Sequence, residues 1–197
     1  ARALWWPRFA RIARWLADWE YERRPGLADM RAEIRGEILL PVGERQFRLY
    51  GRADRIERHR DRGYAILDFK TGDPPSSKQV RIGIAPQLTL EAAILRRGGF
   101  PGFDRGLPIG ELLYVKLKGG ALAGEPLRVD LKDRSADDAA EHALAKLAEL
   151  ATRFEDESTP YRSLVLPMWV NRYGTYDDLA RVKEWSAGTD ADEELGE

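Results

Sequence analysis

Cysteine is absent from the 197 residues. Disulfides, zinc–thiolate centres and iron–sulfur clusters held by this chain are therefore excluded. No apolar run approaches the roughly 18 residues of a membrane-spanning helix, and no signal-peptide pattern opens the chain. The expectation is a protein with no membrane partner in a reducing compartment, the cytoplasm. Internal repeats are missing, and so is a Gly-x-x-x-x-Gly-Lys-Ser/Thr loop, which excludes an ATP motor of the P-loop type. The net charge of -1 predicts no polyanion partner by itself.

What is present is charge, at 33% of residues against roughly a quarter in average domains. Its distribution is uneven: residues 1–70 hold 16 Lys/Arg against 11 Asp/Glu, and residues 71–197 hold 16 against 22. A basic front half can face a phosphate backbone, or can simply be arginines on solvated helix faces. The length suits a large single domain with a sizeable core. The chain opens without Met and directly in a helix-like pattern, which predicts a segment of a longer protein.

Trp5, Phe9, Ile12, Leu16 and Trp19 recur at steps of 4, 3, 4 and 3, the apolar stripe of an amphipathic helix that Pro25-Gly26 ends. The pattern then turns extended. Residues 31–41 and 46–58 predict a hairpin around Val42–Arg45, and 64–70 a third strand. His59 falls in the polar turn between them and is expected to be solvated. A loop follows over 73–79, then a helix over 86–97 with Pro86 in its first turn. Strands are expected at 110–117 and 126–131. A capping box at Ser135-x-x-Asp138 opens a helix to about Phe154, with His142 exposed on it. The segment Thr159–Tyr176 reads as a covering loop, 177–186 as a short helix and 188–197 as an acidic disordered tail. The domain layout is thus one unit over 1–187: an N-terminal helix at 1–26, a core at 31–132, and a helix and covering loop at 135–187.

The chemistry centres on Ala65-Ile66-Leu67-Asp68-Phe69-Lys70-Thr71-Gly72. A strand's period of 2 places Asp68 and Lys70 on one face and Phe69 on the other. Upstream, Gly51-Arg52-Ala53-Asp54-Arg55-Ile56 offers a second carboxylate from the preceding strand. Two carboxylates suit a hard divalent ion such as Mg²⁺ (or Mn²⁺), with the Phe69 backbone carbonyl as a further ligand and water or phosphate oxygens completing the shell. Lys70, charged at neutral pH, would hold an attacking water or neutralise charge developing on phosphate. The same residues also permit a plainer account, with Asp68 and Lys70 as a surface pair and Asp54 bound to Arg52 or Arg55.

The order of motifs narrows the choice. Gly-Arg-x-Asp-Arg-Ile, then Leu-Asp-Phe-Lys-Thr-Gly, then a helix with Pro-Gln-Leu resembles the RecB-like branch of the PD-(D/E)XK nucleases. The stretches Pro86–Ala93 and Tyr176–Ser186 look like the C-terminal nuclease domains of the AddB family, partners of an AddA-like helicase–nuclease subunit in double-strand-break repair. The resemblance implies an α/β, restriction-endonuclease-like fold, a mixed β-sheet of four or five strands flanked by helices. It also implies Mg²⁺-dependent cleavage of DNA, single-stranded and delivered by the helicase. By position, Asp54 and Asp68 would be metal ligands, Lys70 catalytic, and Gln87 a group orienting the lysine or substrate. Glu91 stands where the branch has Tyr. No early histidine ligand is present; the expectation is that this ligand belongs to a segment upstream, or that Glu20 or Glu33 substitutes for it. The four-cysteine iron–sulfur staple of many such domains cannot be built. The rivals are a non-catalytic DNA-binding scaffold that keeps the fold, and a nuclease of the same branch outside recombination.

Overall fold

The computed structural model describes residues 2–160, with side chains from Trp5 onward. By backbone proximity the chain divides into two compact units, residues 1–155 and 156–197. The first carries every element described here. The expected helix at 177–186 and tail at 188–197 lie outside the described residues, as does the expected covering loop beyond residue 160.

Helix α1 (Arg2–Arg23) ends in a 3₁₀ turn (Arg24–Gly26). Strands β1 (Leu27–Val42) and β2 (Arg45–His59) form a long hairpin, and β3 (Tyr64–Lys70) adds to it antiparallel. The chain then crosses over through α2 (Ser77–Arg81) and α3 (Gln87–Arg96) to β4 (Ile109–Leu117), which lies parallel to β3. Strand β5 (Gly124–Arg128) closes the sheet antiparallel to β4, and α4 (Ala136–Glu155) follows. The sheet order is β1-β2-β3-β4-β5. A parallel pair needs such a helical crossover, whereas the antiparallel pairs close with short turns.

The expected mixed sheet with helices on both faces is therefore present, with five strands. Alternation along the strands makes the two faces. Ile56, Ile66, Leu112 and Tyr114 meet Leu88, Ala92 and Leu95 of α3 and Ala140 and Leu144 of α4 in the main core. Ala65, Leu67, Leu113 and Val115 point the other way and meet Trp15 and Trp19 of α1. Those two rings stack on each other at 5.8 Å. Gly124 makes room for them, since a Cβ there would sit 2.1 Å from the Trp15 ring.

Three expectations need correction. The stripe on α1 is not one continuous buried face: Trp5 is 67% exposed and Phe9 is exposed too, because only the C-terminal half of the helix lies on the apolar sheet surface. The loop over 73–79 contains the start of α2, capped by Ser76, whose side chain takes the Gln79 N–H while Gln79 reaches back to the Ser76 N–H. His59 is buried, because β2 continues through it instead of ending at 58.

Candidate active site

The β2–β3 ladder runs from Arg58↔Tyr64 to Arg55↔Leu67. One residue further on, the side chain of Asp54 takes over from the backbone. Asp54 Oδ2 accepts the Phe69 N–H at 2.9 Å. In a strand the N–H and C=O of one residue point to the same side, so the Phe69 carbonyl is turned toward β2 and Asp54 as well. Asp68, which alternates with Phe69, points to the α3 side and is 2% exposed. Two carboxylates and a carbonyl thus converge where the two strands separate.

Gln87, the first residue of α3, organises the rest. Its Nε2 donates to Asp68 Oδ1 at 2.7 Å and to Glu91 Oε1 at 3.2 Å. Its Oε1 accepts from Lys70 Nζ at 3.3 Å. Both amide protons are committed to carboxylates and the carbonyl to an ammonium, which fixes the amide's orientation. Lys70 Nζ also lies 2.7 Å from Asp68 Oδ2 as an ion pair. Asp68 and Lys70 do pair, then, but at a buried carboxylate and not on open surface.

Glu91, one helical turn after Gln87, is buried beneath this group. Burial pushes its carboxyl up to about 7, the Gln87 hydrogen bond opposes this, and the nearby Asp68 and Asp54 add to it. Tyr114 of β4 stands across from Asp68 in the parallel ladder. Burial, then Asp68 and Glu91, raise its phenol far above the ordinary value. Glu91 Oε2 and Tyr114 Oη are buried oxygens without a hydrogen-bond partner, and Asp68 Oδ2 is met by the Lys70 ammonium as an ion pair. No local motif marks Tyr114; its signal is the parity of β4, which puts residues 112, 114 and 116 on the Asp68 face.

Among the described residues, no three His, Asp or Glu side chains come together closely enough to hold an ion on their own. The donor set still fits Mg²⁺, which is commonly held by one or two carboxylates and keeps several waters. Asp54, Asp68 and the Phe69 carbonyl supply hard oxygens, and the Lys70 ammonium is the charge that Asp68 Oδ2 faces. The substitute ligands do not join them. Glu33 pairs with Arg52 at 3.1 Å on the surface. Glu20 is held by Arg55 and Arg24 on the α1 side of the sheet. Burial alone would raise Glu20, but those two guanidinium groups bring it below its ordinary value. With Arg52 and Arg55 so engaged, neither is the partner of Asp54.

A second polar cluster lies on that opposite face. Glu57 is 0% exposed and bonds Arg23 Nη2 at 2.8 Å, Arg55 Nη2 at 2.6 Å and His59 Nε2 at 3.1 Å. Arg23 also reaches Glu111 at 2.5 Å. Arg62 donates to His59 Nδ1, which assigns the ring proton to Nε2, facing Glu57. Burial and then Arg62 hold His59 below its ordinary value, so it is neutral there. The cluster ties α1 to β2 and β4.

The sequence signature of the PD-(D/E)XK nuclease superfamily matches residues 2–164. The uncharacterized protein RT0391 of Rickettsia typhi is 31% identical over 99 residues, half of this chain and 12% of that protein. A relative in Rickettsia felis is 36% identical over 81 residues, 41% of this chain and 10% of its own length. The chain thus spans about a tenth of these relatives. The solved structure titled "Crystal structure of SSO0001" aligns with a TM-score of 0.37 at 13% identity, covering 66% of this chain and 56% of that one. With its signature matched over most of its length, this chain belongs to the PD-(D/E)XK nuclease superfamily.

Proposed function

We propose that the chain is a Mg²⁺-dependent deoxyribonuclease domain that hydrolyses phosphodiester bonds of single-stranded DNA. The observation that carries this reading is the Asp54 carboxylate on the Phe69 N–H, which sets two carboxylates and a carbonyl side by side at a strand end. Asp54, Asp68 and the Phe69 carbonyl would hold the ion. When bound, the ion lowers the pKa of a coordinated water and stabilises the leaving oxygen. Lys70 holds the attacking water or meets the charge growing on the phosphate. Gln87 orients both Lys70 and Asp68 through the two ends of its amide.

The resemblance of Pro86–Ala93 and Tyr176–Ser186 to AddB-family domains supports a finer reading: exonuclease action on a strand delivered by an AddA-like helicase–nuclease partner during double-strand-break repair, in the cytoplasm. The test is cleavage of labelled single-stranded DNA with Mg²⁺ or Mn²⁺ by wild type, Asp68→Ala and Lys70→Ala. Loss of cleavage in both variants supports the site. Equal cleavage in all three would sink it. DNA binding without any metal-dependent cleavage would leave a scaffold that keeps the nuclease fold.

A further inference from the structure

Lys70 and Lys116 stand opposite each other in the parallel β3–β4 ladder. Strands in a sheet are about 4.8 Å apart, so the two stems leave the sheet side by side. Both belong to the even-numbered set that carries Asp68 and Tyr114. Lys116 is only 8% exposed, which is unusual for lysine. Its ammonium is held by Asp73, whose side chain is 90% exposed on the loop after β3. Two residues on, just past the end of β4, Lys118 is exposed.

The two ammonium groups are close enough to act on each other. Asp73 holds Lys116 above its ordinary value, and the Lys116 ammonium lowers Lys118. Glu125, paired with Lys116 in the β4–β5 ladder, is the other carboxylate nearby. A pair of neighbouring cations whose carboxylate neighbours, Asp73 and Glu125, are both solvent-exposed is a place where an incoming anion can take their part. The Asp73 carboxylate already occupies it as a phosphate oxygen would.

We propose that Lys116 and Lys118 form a phosphate-binding subsite beside the reacting position, which takes an adjacent phosphodiester of a single-stranded nucleic acid. The subsite rests on the nuclease reading for what happens at Lys70, but its binding role is measured separately. Phosphates follow one another every few ångströms along a strand, about 3.4 Å of helix axis in duplex DNA. A strand lying across the ends of β3 and β4 therefore presents successive phosphates to Lys70 and to the Lys116–Lys118 pair. Asp73 is displaced as the strand arrives.

The experiment is fluorescence anisotropy of a labelled oligothymidylate with EDTA present, at a series of salt concentrations. Single-strand contacts contribute a slope of about 0.7 per phosphate in log K against log salt. The double variant K116Q/K118Q, which removes that one phosphate contact, is expected to lose about 0.7 of that slope and Lys118→Gln alone a smaller part of it. The charge-matched K132Q/K146Q variant should lose none. Asp73→Asn should bind more tightly than wild type. With Mg²⁺, K116Q/K118Q should raise KM several-fold and leave kcat within about twofold. An unchanged slope in K116Q/K118Q, or an equal loss in K132Q/K146Q, would overturn the subsite. Absence of cleavage by wild type alongside the expected slopes would overturn the nuclease reading and leave the subsite standing. Because Lys118 is exposed, its single variant remains informative even if Lys116→Gln disturbs folding.

Discussion

Glu33 stands opposite Asp54 across the β1–β2 ladder, between the pairs Ala32↔Arg55 and Ile34↔Ala53. It has a left-handed backbone, with φ of 54°. For a residue with a Cβ that conformation costs about 1–2 kcal/mol. It coincides with the point where Asp54 leaves the ladder to take the Phe69 N–H. Backbone irregularities of this kind beside a site re-aim a side chain.

The backbone of Glu33, not its carboxylate, is thus the feature that matters. Glu33→Gly should keep Mg²⁺-dependent cleavage and lose no stability, because glycine accepts the conformation freely. Glu33→Val should cost about 2 kcal/mol in urea unfolding and lower cleavage by moving Asp54. If Glu33→Gly instead abolished cleavage while remaining folded, the carboxylate would be a ligand after all.

Gln87→Ala removes the donor to Asp68 and the acceptor of Lys70 together, while leaving α3 a good helix former in its place. Groups that orient ligands in this way typically matter by about 10–100-fold. That loss is expected in kcat for a single-stranded substrate, with thermal stability nearly unchanged. Gln87→Glu should be worse, since it sets a third negative charge against Asp68 and Glu91.

Glu57 makes a separable prediction. It is fully buried among Arg23, Arg55 and His59 on the face away from Asp68. Removing one partner of a buried ionic cluster typically costs about 3–5 kcal/mol. Glu57→Ala should fall in that range or somewhat below, because Arg23 keeps Glu111 and Arg55 keeps Glu20. The residual folded protein should show an unchanged Mg²⁺ dependence of cleavage, measured below its unfolding transition.

The hairpin, the third strand and the helix at Gln87 were legible because each carries a local signal: alternation, a turn dipeptide, a proline in the first helical turn. So was the pairing of Asp54, Asp68, Lys70 and Gln87, which the order of motifs brings to one strand end. Helix α2 carries a local signal of its own, the Ser76-x-x-Gln79 capping box. Tyr114, Lys116 and Glu57 were not legible locally. Their importance depends on which strands become neighbours and which face α1 covers, and only the β3–β4 pairing and the seat of Trp15 and Trp19 decide that. The burial of His59 is equally non-local, since a polar turn sequence hides the last buried position of β2.

Glu91 gives the molecule a pH dependence whose sign can be worked out. Its carboxyl is raised by burial to about 7 in the folded state, whereas an unfolded chain titrates it near 4.3. Below about pH 4 both states are protonated and Glu91 has no effect. As pH rises the unfolded state ionises first, so folding loses stability progressively until the folded carboxyl also ionises near 7, and the full penalty applies above that. One pKa unit corresponds to 1.36 kcal/mol, so the total is on the order of 3 kcal/mol. Glu91→Gln keeps an acceptor for Gln87 but cannot ionise. In the presence of a chelator, its stability relative to wild type should therefore improve by roughly 3 kcal/mol between pH 4.5 and pH 8 in urea unfolding. A stability difference that is flat across that range would mean that Glu91 ionises in the folded protein as it does in water. The three carboxylates would then be better solvated than their burial implies.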